Sequence, residues 1–257
     1  MSDTDELLFE VEDDIGFITF NRPRTRNALT FGMYEGLAEI CSAPPAELRA
    51  VVITGAGDKA FAAGTDITQF RSFDSAQDAI DYEDRIDHVL TSVESCPLPV
   101  IAAIAGACTG GGAAIATACD IRLASADLKF GFPIARTLGN CLSAASLARL
   151  SALLGAGRVR EIIFTSRLIG AEEALSTGLI TEVLADRQSL AARALEMAHL
   201  VATQAPLTLQ STKELQRRLA ASAVQDEDLI ALCYSSADFQ EGIEAFFAKR
   251  KPRWQGR

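Results

Sequence analysis

The stretch best suited to chemistry offers backbone rather than side chains. Gly110-Gly111-Gly112 follow a short apolar run, Val100 to Ile104, and precede AAIATA, a run of small helix formers. The pattern predicts a strand, a glycine turn and a helix, with Asp120 closing the helix and Ile121-Arg122-Leu123 beginning the next strand. The first N–H groups of a helix have no internal acceptor and stand at the positive end of its dipole. Glycine removes the side chains that would hold a ligand away from them. A carbonyl oxygen docked there is polarised, and an oxyanion forming there is stabilised. A tight turn packed closely on a neighbour asks for the same residues, so this stretch alone leaves both readings open. A phosphate-binding loop is not indicated, because no Gly-Lys-Ser/Thr follows.

A second glycine turn strengthens the first reading. Ala50 to Thr54 reads as a buried strand, and Ala62-Ala63-Gly64-Thr65-Asp66-Ile67 follows it closely. Two such turns can each give one N–H to a single carbonyl oxygen, which makes a two-donor oxyanion hole. Between them, residues 70–95 carry Asp74, Asp78, Asp81, Glu83, Asp84, Asp87 and His88, with Ile80, Ile86, Val89 and Leu90 as a rough helical stripe. Most of these charges read as a solvated face, from which one side chain can turn inward over a site.

These turns need a scaffold, and the patterning supplies one. Leu8 to Glu12 alternates apolar and charged residues, Asp13-Asp14 turns, and Ile15 to Phe20 returns, which is an N-terminal hairpin. Arg24, Arg26 and Asn27 form a small basic cluster that reads by itself as a solvated loop. Thr30 is placed to cap a helix through Met33, Leu37 and Ile40. Leu142 to Leu154 reads as a buried helix, residues 160–164 and 170–174 as further helices, and Leu179 to Leu184 as a late strand. Beyond Asp186 the pattern is helical: 189–203, 206–222 and 226–251.

Composition narrows the function classes. At 49% apolar over 257 residues the chain can fill a large core, and one α/β domain with a terminal extension is expected. A net charge of −10 argues against nucleic acid and against an anionic membrane surface as partners. Cys96 to Cys119 is uncharged and long enough to cross a bilayer, but prolines and glycines interrupt it and no aromatic belt flanks it. Six scattered cysteines with no C-x-x-C pair suggest neither a zinc ribbon nor a redox dithiol. They favour a reducing compartment, and the acidic start without an apolar signal favours the cytoplasm. The two histidines, His88 and His199, have no ligand partner at helical spacing, so no metal is expected.

Three stretches together resemble the enoyl-CoA hydratase/isomerase superfamily, the crotonases: Asn21-Arg22-Pro23 through Leu29, Phe61 through Ile67, and Pro99 through Asp120. The tail from Phe239 through Pro252 fits as well, so the resemblance spans nearly the whole chain. It implies an α/β fold, a spiral of ββα turns over residues 1–200, with a C-terminal helical region over 201–257 that builds trimers or dimers of trimers. It implies a coenzyme A thioester as ligand, with no cofactor beyond the CoA that the substrate carries. By position, the amides of Thr65 and Gly111 would form the oxyanion hole. CoA contacts would fall on Arg26, Ala28, Ala63, Asp66 and Ile67, and, from the tail, on Phe246 and Lys249. Phe132 and Pro133 would border the acyl group.

The departures are as informative. Hydratases of the family hold one water between two glutamates, the first three residues past the oxyanion glycine, the second after the proline of Phe-Gly-x-Pro. Here these positions are Ala114 and Ile134, and neither can move a proton. The aspartate that isomerases place further on is matched nearest by the neutral Asn140. The resemblance therefore implies an acyl-CoA enzyme working through an enolate with an atypical proton carrier. Candidates are Asp81, Asp84, Asp87 and His88 on the acidic helix, and Arg136, Thr137, Asn140 and Cys141 on the site wall. Two alternatives stand beside it: a CoA-ester-binding protein without catalysis, and a thioester or C–C hydrolase.

Overall fold

The computed structural model describes residues 6–72, 74–220 and 236–257. It opens with the expected hairpin, β1 (Leu7–Glu12) and β2 (Ile15–Phe20), paired antiparallel. A helix α1 (Phe31–Ser42) follows, its first turn capped by Thr30, whose hydroxyl accepts from the Met33 amide. From there the chain winds. β3 (Ala50–Gly55) leads to β4 (Ala60–Ala62) and α2 (Ala76–Glu94). β5 (Val100–Ile104) leads to β6 (Ala107–Thr109) and α3 (Gly111–Ala118). β7 (Ile121–Ser125) leads to β8 (Lys129–Gly131) and α4 (Ile134–Thr137).

In each turn the first strand joins one sheet and the second strand another. The larger sheet runs β1-β2-β3-β5-β7 and ends on β10 (Glu182–Leu184); the smaller runs β4-β6-β8 and ends on β9 (Ile169–Gly170). The strands after β2 in the larger sheet are parallel, as are β4, β6 and β8. Three successive strand-strand-helix turns, stacked in register, make the ββα spiral.

The side-chain period of two explains why both faces of the larger sheet are filled. Val51 and Ile53 face a core shared with α1, α2 and α3, while Ala50 and Val52 face the other way. That second face is covered by α8 (Arg187–Ala202), whose Leu190, Ala194, Met197 and Ala198 recur at helical spacing. α5 (Ala144–Leu154), α6 (Ala156–Thr165), α7 (Ala171–Ser176), α9 (Pro206–Ala220) and α10 (Ala237–Ala248) complete the described helices.

Four expectations need correction or qualification. α5 begins at Ala144 behind the N-cap Ser143 and buries only Ser146 and Leu150, so it is a half-exposed helix. Its alanines carry too little apolar surface to mark a buried face. The late strand shrinks to Glu182–Leu184, because Ile180 turns back to donate to the Ala174 carbonyl before pairing begins. β6 and β8, three residues each, were not expected at all; segments so short hold no readable alternation. The predicted helix start at 226 lies outside the described residues, as does Cys233. Among the described residues no helix is long and apolar enough to cross a membrane, and no group of three or more metal-ligating side chains assembles.

Candidate active site

The two glycine turns meet. Segment 26–29 pairs with segment 63–66 as a small ladder: the Ala63 amide donates to Arg26, Leu29 to Gly64, and Asp66 to Leu29, at 2.8–3.0 Å. Arg22 locks this ladder. Its guanidinium donates to the Ala28 carbonyl at 2.6 Å and pairs with Asp66 and Glu6 at 2.8 Å each. The Asp66 carboxyl is held below its usual range, first by the Thr68 hydroxyl and then, against some burial, by Arg22. Asn27, fully buried at φ 56°, ties the loop to the Ala56 and Ala60 carbonyls.

The three glycines of the second turn answer three demands. Gly110 adopts φ 53°, ψ −122°, a conformation open to glycine alone, and caps α3. A Cβ on Gly111 would lie 1.9 Å from the Tyr34 hydroxyl and 3.2 Å from Thr65 Oγ1. A Cβ on Gly112 would lie 2.3 Å from the Ala62 carbonyl oxygen. Close packing and an open amide are thus both served by the same turn. Gly111 opens α3, so its N–H has no intrahelical acceptor. Among the described residues, neither that N–H nor the Thr65 N–H has an acceptor within the protein.

A chain of hydroxyls runs from these loops to the cavity. Thr65 Oγ1 is 2.8 Å from the Tyr34 hydroxyl and 2.7 Å from the Tyr82 hydroxyl. Burial pushes both phenols up, Tyr34 well above its ordinary range and Tyr82 to about 12, so both stay protonated. Three hydroxyls with fixed partners hold residue 65, and with it the amide it presents.

In front lies a cavity of about 180 Å³. It is bordered by Ala63, Thr65, Ile67, Gly111, Ala114, Pro133, Ile134, Thr137 and Asn140, all singled out from the sequence. Phe70, Ile86, Leu138 and Leu142 add further apolar side chains, and Tyr82, Thr109 and Ser146 add hydroxyls. Ala114 and Ile134 therefore stand on its wall as apolar surface. Other expected residues lie elsewhere. Phe132 is buried against Phe130, edge to face, as a core residue. Arg136, Cys141 and Lys249 are exposed and do not border the cavity; nor do Arg26, Ala28 or Asp66, which sit on the ladder beside it. The side chain of Phe246 lies outside the described residues.

The acidic helix sorts its own candidates. Asp81 accepts from Gln77 in the solvent, and Asp84 and His88 are exposed. Asp87 accepts from the Ser143 hydroxyl at 2.8 Å and meets Arg149 at 3.4 Å. Glu83 borders the cavity, the one carboxylate among its described lining residues. Its Oε2 accepts from the Ser143 amide at 3.2 Å. Burial raises its carboxyl above the ordinary range; the Ser143 amide opposes this and the neighbouring Asp87 charge adds to it. Sequence reasoning placed Glu83 on the acidic face and passed over it. The signal was spacing: Glu83, Ile86, Leu90 and Val93 follow one another at helical intervals, and the last three are buried.

A two-sheet ββα spiral with two glycine turns converging on a small, mostly apolar cavity defines the fold and site class. Residues 10–257 match the enoyl-CoA hydratase/isomerase family, and the chain belongs to it. It is 31% identical to the short-chain-enoyl-CoA hydratase of Clostridium acetobutylicum over 95% of each chain. It is 30% identical to the crotonyl-CoA hydratase of Syntrophomonas wolfei over 96% of each. Among solved structures, the enoyl-CoA hydratase/carnithine racemase from Magnetospirillum magneticum superposes with a TM-score of 0.90 at 35% identity, covering 99% of this chain and 97% of that one. The chain is thus a crotonase-fold member of a family that processes acyl-CoA.

Proposed function

We propose that the chain binds an acyl-CoA thioester with its carbonyl oxygen between the Thr65 and Gly111 amides, and processes it through an enolate. The observation that carries this is the meeting of the two turns: a Cβ on Gly111 would touch Thr65 Oγ1 at 3.2 Å, and both residues border one cavity. Two amides on separate loops, with no acceptor among the described residues, would stabilise charge that develops on a thioester oxygen when an α-proton leaves. The CoA moiety lies along the ladder residues Arg26, Ala28, Ala63 and Asp66 and the adjoining Ile67, where exposed Arg24 and Arg26 suit its phosphates. Lys249, exposed beyond the end of α10, reaches the CoA of a neighbouring subunit in a trimer. With Ala114 and Ile134 on the wall, two-glutamate water addition is not the reaction. The test is exchange of the α-proton of butanoyl-CoA into deuterated water, read by mass spectrometry. Deuterium uptake above the protein-free rate is expected; none with any short-chain thioester would sink the enolate.

The apolar faces of Ala114 and Ile134 also favour a second reading, a CoA-ester-binding protein without turnover. Calorimetry that shows acyl-CoA binding, with no exchange and no release of free thiol, would select it.

A further inference from the structure

The proposed enolate needs a base, and both familiar positions are empty of one. We infer that Glu83, entering from α2, is the catalytic base of this site; this rests on the function proposed above. Each alternative on the acidic helix is disposed of by its surroundings. Asp78 closes the capping box with Ser75, Asp81 is held by Gln77, Asp84 and His88 face solvent, and Asp87 is engaged by Ser143 and Arg149. Tyr82, the other ionisable side chain on the lining, stays a phenol. Asn140 and Thr137 border the cavity but are neutral.

Glu83 is built to serve. It shares the cavity with Thr65 and Gly111, where the oxyanion would form. Ser143, the N-cap of α5, fixes one carboxylate oxygen through its amide, and the other oxygen has no hydrogen-bond partner among the described residues. Asp87, one helical turn along α2, grips the Ser143 hydroxyl, so both carboxylates hold the same cap and the Glu83 rotamer is supported. Partial burial makes its carboxylate a stronger base than a solvated one.

The step balances without a co-reactant. The free oxygen of Glu83 takes the α-proton, the C–H electron pair moves into the Cα–C bond, and the carbonyl π pair moves onto the oxygen held by the two amides. The carboxylic acid then returns the proton, either to Cα or, from a β,γ-unsaturated acyl group, to Cγ, which leaves the double bond in conjugation. One carboxylate suffices for this. Adding water requires a second group to hold and deprotonate it, and the described lining residues include no second carboxylate.

The experiment compares wild type, Glu83→Gln and Glu83→Ala on butanoyl-CoA, with exchange in deuterated water, calorimetric binding, and circular dichroism to count folded protein. The expected result is exchange reduced by about 10²–10⁴-fold in both variants, with binding within about threefold of wild type. Added formate should restore exchange in Glu83→Ala, which a side chain that only held Ser143 would not permit. Exchange by Glu83→Gln at near the wild-type rate would overturn Glu83 as the base and leave the enolate standing. A wild type that binds without exchange would instead overturn the enolate, and the base with it.

Discussion

The glycine loops and the helical wall line one cavity but are made differently. Loops 63–67 and 109–112 present backbone, at positions dictated by Gly110 at φ 53°, the buried Tyr34 and the Arg22-locked ladder. The wall, from α2 and residues 134–143, presents side chains whose roles depend on which way a helix is turned. The loops tolerate almost no change of shape, while the wall can exchange one side chain for another. That difference would let one framework keep the proposed hold on a thioester while the acid–base chemistry beside it changes.

The sharpest way to break this contrast is at Gly111. A Cβ there would stand 1.9 Å from the Tyr34 hydroxyl, and Tyr34 is too buried to swing away. Gly111→Ala should cost about 1–3 kcal/mol of stability by overpacking. By displacing one donor amide it should also lower α-proton exchange by about 10²–10³-fold. The tyrosine ring carbon next to the hydroxyl is 3.2 Å from the same point. Adding Tyr34→Phe should therefore restore part of the melting temperature. If the double variant melts no higher than Gly111→Ala, the clash is not what fixes the loop.

The wall is tested through Asp87. Glu83 is raised chiefly by burial, opposed by the Ser143 amide and reinforced by the Asp87 charge. Tyr82 faces it as a neutral phenol, and Arg149 faces it through Asp87. Only the carboxylate accepts a proton, so exchange should rise with pH through an inflection above the ordinary glutamate range. Asp87→Asn removes the raising charge and leaves Arg149 paired with Glu94 at 2.7 Å, so the inflection should move down. The same shift has a stability sign. A glutamate raised by folding contributes stability below its unfolded value, and that contribution is lost as pH rises through the folded one. Glu83→Gln does not ionise, so its melting temperature should gain on wild type as pH rises across that window. A constant gap, or one of opposite sign, would show that Glu83 is not strained by burial.

The loops were legible in the sequence because backbone constraints leave compositional marks. Three adjacent glycines before a small-residue helix, and Gly64-Thr65 after a strand, can be read without coordinates. So could the N-terminal hairpin from its alternation, the Thr30 cap, and β3 and β5 as short apolar runs. The smaller sheet could not, since its strands are two or three residues long and fixed by pairing rather than propensity. On the wall, a helix bearing many carboxylates hides the one that turns inward. Its net charge says solvated, and only the buried positions 86, 90 and 93 reveal that 83 shares their face. Phe132 shows the opposite error: an aromatic residue beside the site proved to be core.

The smallest expected effect discriminates most finely. Asp84 follows Glu83 directly, but one residue along a helix turns the side chain through more than a quarter of a circle, and Asp84 faces solvent. An exposed charge is screened within about 8–10 Å at ordinary salt. Asp84→Asn removes the same formal charge from the same helix as Glu83→Gln and should leave exchange within about twofold of wild type, with no drift as salt is raised. If it instead costs as much as Glu83→Gln, α2 acts through its summed negative field, and no single carboxylate on it is positioned for proton transfer. If only residue 83 is sensitive, direction on the helix and not the number of acids decides, as the cavity lining implies.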